Sequence, residues 1–381
     1  KRQAWRSRAK SWWACDGVGG MGNGEGCARI IAAMSATALP AALPVALRRR
    51  QWLQRTLALA ALAHGGSRAA SDTTIRLSHV VAPDTPKGMA LERFRMLVEE
   101  RTQQRIRVQI YPQGQLYGDH DEMQALQLGA IDMVAPSLSK FGPIGFPEFE
   151  LFDLPFVFDS VAEVRRITQG TLGQRLMERL SRQRLLGLGY FDNGFKHMSA
   201  NRPLLEPAHF VGLRMRVQAS RVIAQQMRAL GARPVTLPFS ETRRALETGV
   251  VDGTENPISN FTTQSMQAVQ HDLSLTGHGY LGYAVVAHQR FWQRLPARDR
   301  ELVHQALREA LVFGNSIADA HNDKALAALH VSEAIRIHIP TPAQRARLQA
   351  AVQPVQADLA RRIGLSWLEA LQDALQQDLT G

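Results

Sequence analysis

Residues 213–217 (Leu-Arg-Met-Arg-Val) alternate apolar and charged side chains. The period of two predicts a strand with Leu213, Met215 and Val217 on one face and Arg214 and Arg216 on the other. Ser220 stands where an N-cap is needed for a helix through Val222, Ile223, Gln226 and Met227. A strand running into a helix N-terminus is where an open α/β sheet receives ligands. A planar guanidinium at that point fits a carboxylate with two parallel hydrogen bonds. Two solvated arginines on a half-exposed strand would read the same way, so the rest of the chain has to decide.

Alternation returns at 74–80 and 105–111, with a helical stripe between them from Pro86 to about Thr102. A helix starting at Asp119 and closed by Gly129 leads to a short buried strand at 131–135. This β-α-β-α-β opening predicts an α/β lobe with a largely parallel sheet. Residues 141–158 form a loop rich in Phe, Pro and Gly, whose rings are expected to pack beneath a cleft. Helices are expected near 160–168 and 172–182, and a strand at 185–191. Asp192-Asn193-Gly194-Phe195 reads as a turn and a lobe boundary. A second block then follows: the Arg216 strand, a helix at 220–230, a strand at 234–237, a helix at 240–247 capped by Ser240, and a strand at 250–255. Strands near 271–276 and 283–288 are the expected return crossing. A long helix at 297–329, a strand at 334–339 and a helical stretch from 342 to about 377 complete the pattern.

Composition matters mainly through where the charge lies. The chain has 381 residues with 45 Lys and Arg against 34 Asp and Glu. Eleven of the basic and two of the acidic residues fall in 1–70, which leaves 34 against 32 in the body. The basic excess therefore belongs to the leader, and the near-neutral body has no bulk field for nucleic acid. Within the leader, Arg48-Arg49-Arg50 precedes the apolar run 57–63 and a small-residue zone ending Ala69-Ala70. That three-part layout predicts an export signal over about 48–70, of the twin-arginine kind, and hence a periplasmic protein with the signal removed. Both cysteines, Cys15 and Cys27, lie in the leader, so the body has no thiol chemistry. A literal G-x-G-x-x-G at 17–22 lacks the strand before it and the acidic residue after it, and is set aside.

Enzyme signatures are missing from the body. It has no H-E-x-x-H, no G-x-S-x-G and no Walker loop, and its histidines are scattered. No catalytic residue, cofactor or metal site is expected. Asp319, His321 and Asp323 are close in sequence, but on a helix His321 points away from the other two.

Over about 74–340 the chain resembles the periplasmic substrate-binding proteins of tripartite ATP-independent periplasmic (TRAP) transporters, the DctP-like family. The resemblance is carried by Pro86-Lys87-Gly88, Tyr111-Pro112-Gln113-Gly114-Gln115-Leu116, the stretch 125–132, Pro147-Glu148-Phe149, Asp153-Leu154-Pro155-Phe156, Asp192-Asn193-Gly194-Phe195, the stretch 212–217, Leu230-Gly231-Ala232, Pro238-Phe239-Ser240-Glu241 and the stretch 249–257, in unbroken order. It implies an α/β, two-lobed periplasmic binding protein, type II-like, with a central cleft and a long helix shared by both lobes. The corresponding division is 71–193 with 281–320 in one lobe and 194–280 with 321–381 in the other. It also implies capture of a small organic acid, a C4-dicarboxylate or related carboxylate, and delivery to integral membrane TRAP transporter subunits. An alternative on the same fold is a receptor that presents its ligand to a membrane sensor, without transport.

The resemblance places the carboxylate anchor at Arg216 and a supporting hydrogen bond at Asn256. The family's second arginine is here Lys196, expected to hold a second anionic group without the fork. Arg243 stands where the family usually has tyrosine, a departure that bears on the choice of ligand. His79 and Ser78 after the first strand, Asp119 toward a ligand hydroxyl or as a helix cap, and Ser137 after the third strand complete the candidate set. Arg214 is expected to be a supporting or solvated charge.

Overall fold

The computed structural model describes residues 73–376. The leader, its predicted signal, both cysteines and the 17–22 motif lie outside the described residues. The first lobe opens with β1 (Thr73–Ser78), α1 (Pro86–Arg101), β2 (Ile106–Tyr111), α2 (Glu122–Gln127) and β3 (Met133–Val134). Helix α1 begins where Pro86 removes an N–H that the first turn has no use for, and Thr85 caps it through a bond from the Gly88 N–H. Strand β1 pairs in parallel with both β2 and β3. Two 3-10 segments and the helices α3 (Val161–Gln169) and α4 (Thr171–Arg179) then lead to β4 (Leu185–Ala200).

The second lobe contains β5 (Arg214–Val217), α5 (Arg221–Ala229), β6 (Arg233–Thr236), α6 (Thr242–Glu247), β7 (Gly253–Asn256) and α7 (Ile258–Thr263). Strand β5 pairs in parallel with β6 and β7. Strand β8 (Asp272–His288), α8 (Gln289–Arg294), α9 (Ala297–Ser332), β9 (Arg336–His338), α10 (Pro342–Val352), α11 (Pro354–Ile363) and α12 (Leu365–Gln376) close the chain. All nine strands form one sheet, in the order β2-β1-β3-β8-β4-β7-β5-β6, with β9 beside β8.

The junction differs from the sequence reading. Residues 192–195 are not a turn; they lie inside β4, which runs on to Ala200, and the two strands expected at 271–276 and 283–288 are the single strand β8. The turn chemistry of Asn193 and Gly194 is used for a bulge, where the β4–β8 register shifts between Asp192 and Gly194. Strands β1–β3 and β5–β7 pair in parallel within their lobes, while β3–β8, β8–β4 and β4–β7 are antiparallel, so the seam between the lobes is antiparallel. Other corrections are local. Asp119 does not start a helix, because α2 begins at Glu122, and Ser240 makes no cap because a 3-10 turn over Phe239–Glu241 precedes α6. The stretch 342–377 is three helices, interrupted at Pro354 and Gly364.

Alternation on the strands gives two cores, one on each face of the sheet. Met215 and Val217 of β5 join Tyr280, Ala284 and Val286 of β8 in one, together with Phe141, Phe149 and Phe152 from the Phe-rich segment. Ile75 and Leu77 of β1 join Leu281, Tyr283 and Val285 of β8 in the other. The 36-residue helix α9 covers the second core and packs on α1 and β4 as well as on α7 of the second lobe. Its approach to α1 is close: a Cβ at Gly314 would lie 2.8 Å from that of Ala90 and 3.1 Å from the Phe191 ring.

Candidate functional site

Strand β5 separates its two arginines. Met215 and Val217 anchor one face in the core, which turns Arg216 into the interior on the opposite face at 2% exposure. Arg214 stays at the surface and pairs with Asp252 through two side-chain bonds, Nε to Oδ2 at 3.0 Å and Nη2 to Oδ1 at 2.6 Å. It is a supporting charge. Arg216 instead donates Nε and Nη2 to the Leu237 carbonyl oxygen, at 3.0 and 2.8 Å. Among the described residues no carboxylate forms an ion pair with it. Its guanidinium lies 5.9 Å from the centre of the Phe239 ring. Burial pushes its pKa down, and the fields of Asp119 and Glu255 oppose that shift.

Arg216 lines a cavity with Val80, Val81, Asp119, Ser137, Lys140, Gln218, Phe239, Asn256, Asn260, Leu281 and Tyr283. Both lobes contribute. Asn256 arrives at the end of β7 and bonds Thr254 Oγ1 at 3.4 Å. Ser137 Oγ donates to Gln218 Oε1 at 2.7 Å, which joins the first lobe to the second. The Asp119 carboxylate makes a second bridge by accepting the Phe239 N–H, and it also pairs with Lys140. Burial would raise the Asp119 carboxyl, but Lys140 and Arg216 hold it down at about 2. Asn193 ties the wall together: its amide donates to Asn260 Oδ1 at 2.9 Å and to the Tyr283 hydroxyl at 2.8 Å, and its own oxygen accepts from Ser259 at 2.8 Å.

Four of the seven residues proposed from sequence therefore meet at one cavity: Arg216, Asn256, Asp119 and Ser137; buried Ser78 does not line it. Lys196 and His79 are buried but are not among its lining residues. Lys196 Nζ sits 3.0 Å from Glu255 Oε1, which occupies its charge inside the protein. The His79 ring is held neutral, its pKa lowered to about 3 by burial and by Lys87. Arg243 lies off the cavity wall.

Two buried lysines were not foreseen: Lys140, which lines the cavity, and Lys87, which lies behind its wall. Lys140, fully buried, pairs with both Asp119 and Glu122. Burial works to lower its pKa, but the two carboxylates together raise it. Lys87 donates to the Ala135 carbonyl at 2.7 Å and stands 3.6 Å above the centre of the Tyr283 ring. Burial lowers its pKa to about 7. Each sits in a stretch with a readable signal. Lys87 is inside Pro86-Lys87-Gly88, and Lys140 follows the third strand by six residues, but nothing in the sequence tells a buried lysine from a solvated one. The two cations at the cavity differ: Arg216 is a fork bonded only to a carbonyl, whereas Lys140 is a point charge already matched by two carboxylates. Among the described residues no group of three or more His, Cys, Asp or Glu could hold a metal ion.

Two α/β lobes that share a helix meet at a cavity lined by a buried arginine that has no carboxylate partner among the described residues, an arrangement suited to holding an anionic solute. Residues 77–362 match the bacterial extracellular solute-binding protein family 7, DctP. The chain belongs to that family. It is 46% identical over 305 residues, 80% of this chain and 92% of the relative, to the C4-dicarboxylate-binding periplasmic protein DctP of Rhodobacter capsulatus. Its fold is similar to that of a TRAP periplasmic solute-binding protein from Shewanella oneidensis with bound succinate, at TM-score 0.78 and 39% identity, covering 80% of this chain and 99% of that one. A Pseudomonas aeruginosa TRAP solute-binding protein with bound L-malate matches at TM-score 0.73 and 34% identity, over 75% of this chain and 99% of that one.

Proposed function

We propose that this protein captures a small dicarboxylate in the periplasm and delivers it to TRAP-type membrane subunits. The observation that carries the reading is Arg216: a buried guanidinium facing the cavity, with no carboxylate partner among the described residues. A carboxylate leaving water needs fixed donors and a countercharge, and Arg216 supplies both. Asn256 adds neutral donors from the neighbouring strand. From the opposite lobe Asp119, held ionised by Lys140, accepts a hydroxyl where the ligand carries one. Apolar Val80, Val81, Leu281 and Phe239 face the short carbon chain between them. Succinate bound by the relative from Shewanella and L-malate bound by that from Pseudomonas support the C4 size class. The basic leader with its apolar run supports export.

The test is isothermal titration calorimetry of residues 71–381 with succinate, L-malate, fumarate and the monoanion butyrate. Saturable binding of the C4 diacids, lost in Arg216→Ala, is the expected result. Binding that survives Arg216→Ala overturns the anchor.

A further inference from the structure

Lys196 lies on β4 opposite Gly279 of β8. Its aliphatic stem crosses that glycine: a Cβ on Gly279 would stand 2.8 Å from Lys196 Cε. The amine ends between the two oxygens of Glu255, 3.0 Å from Oε1 and 3.0 Å from Oε2. On the other side His278 Nε2 lies 2.9 Å from Glu255 Oε2, and its Nδ1 lies 2.7 Å from Thr276 Oγ1. Lys196, Glu255 and His278 are all at or below 1% exposure. Three strands at the lobe seam thus meet at one carboxylate, and the residue after it is Asn256, which lines the cavity. The charge of Glu255 also reaches Arg216.

We infer that Lys196 is a positioning residue: it acts on the ligand site through Glu255, neutralising that carboxylate and fixing the end of β7 from which Asn256 reaches the cavity. The inference rests on the reading of Arg216 and Asn256 as carboxylate contacts. Without Lys196, Glu255 is left as a buried anion with a histidine for company. Its field then works against the positive potential that Arg216 offers, and the β7 end loses its side-chain tie to β4, keeping only the backbone ladder that sets His197 against Asn256. Burial alone would raise the Glu255 carboxyl; Lys196 and His278 bring it down to about 2, as expected of a carboxylate held on both oxygens. Removing one member of a buried pair strands the other, whereas removing both does not.

The experiment measures succinate affinity by calorimetry, and unfolding by circular dichroism, for wild type, Arg216→Ala, Lys196→Met, Lys196→Met/Glu255→Gln and Gly279→Ala. Lys196→Met is expected to weaken succinate binding about tenfold, the size of coupling within one buried network. The double variant is expected to regain most of that loss, because no lone charge remains. Gly279→Ala is expected to weaken binding while retaining every charged group, because its methyl displaces the Lys196 stem. Should Lys196→Met fail to fold, the double variant and Gly279→Ala still carry the test. A double variant that folds but binds as weakly as Lys196→Met, or more weakly, makes Lys196 a direct ligand contact and overturns the inference. Wild-type affinity in Gly279→Ala or in Lys196→Met overturns it as well. Arg216→Ala binding like wild type refutes the anchor reading separately, whatever the Lys196 variants do.

Discussion

Arg216 and Leu237 are joined by two hydrogen bonds, from Nε and Nη2 to a single carbonyl oxygen on the chain just beyond β6. This fixes the plane of the guanidinium without neutralising it. A carbonyl oxygen orients the fork and leaves its charge available, which a carboxylate partner would not. Arg216→Lys is therefore expected to fail even though it keeps the charge, since an ammonium cannot hold that plane. Losing one side of a buried charge-assisted contact costs about 2–5 kcal/mol of binding. The variants should fold, because no protein anion is left unpaired by the change. Calorimetry with succinate and a thermal melt of the ligand-free variant check both halves.

Lys140 is different, because two carboxylates depend on it. Lys140→Met leaves Asp119 and Glu122 buried together without their cation, and a loss of roughly 3–5 kcal/mol of stability at neutral pH is expected. Glu122 is already raised by burial. Without Lys140 it should rise further, so the variant loses stability as pH rises through that value and recovers as pH falls. Urea denaturation at pH 5 and pH 7.5 should show the smaller deficit at pH 5. An equal deficit at both would mean that the pair is not what Lys140 stabilises.

Asp153 offers a pH test of opposite sign to the usual carboxylate. It is buried, accepts a hydrogen bond from Ser139 Oγ at 2.6 Å, and is pushed by burial up to about 7, with Lys196 and Ser139 opposing. A folded-state pKa above the unfolded one contributes stability that is full at low pH and is lost as pH rises through about 7. Asp153→Asn should therefore gain on wild type between pH 4 and pH 7 and hold a constant lead above that. A lead independent of pH would show that Asp153 is charged throughout.

His79 works the other way. Its pKa is lowered to about 3, so the unfolded chain binds a proton that the folded chain refuses. The stability it contributes is full above the unfolded value of about 6.5 and falls away as pH drops toward 3. His79→Gln should flatten the acid limb of the melting-temperature profile over that window. A parallel profile would remove His79 from the acid sensitivity.

The elements were legible in the sequence wherever a period was long enough to see. The Arg216 strand, the Ser220 cap and the long helix followed from alternation, a single hydroxyl and a stripe of small and apolar residues. Residues 192–195 misled because Asn and Gly serve a turn and a bulge equally well; only the cross-strand partners decide between them. Arg216, Asn256, Asp119 and Ser137 line one cavity although they are spread over more than 130 positions of the chain. Lys196 takes its expected ligand role from the resemblance alone; its position against Gly279 depends on register, which no local pattern records. The burial of Lys140 goes with partners eighteen or more residues upstream, Asp119 and Glu122, which a local pattern does not reveal.

The seam between the lobes is made of strand interiors, Gly194 opposite Leu281 and Phe195 opposite Tyr280, rather than of free connecting loops. Relative movement of the lobes then means flexing two paired ribbons at a bulge while their ladder stays intact. The bulge at 192–194 also carries Asn193, which bonds Asn260 and Tyr283 of the cavity wall, so a bend at this joint is felt directly at the site.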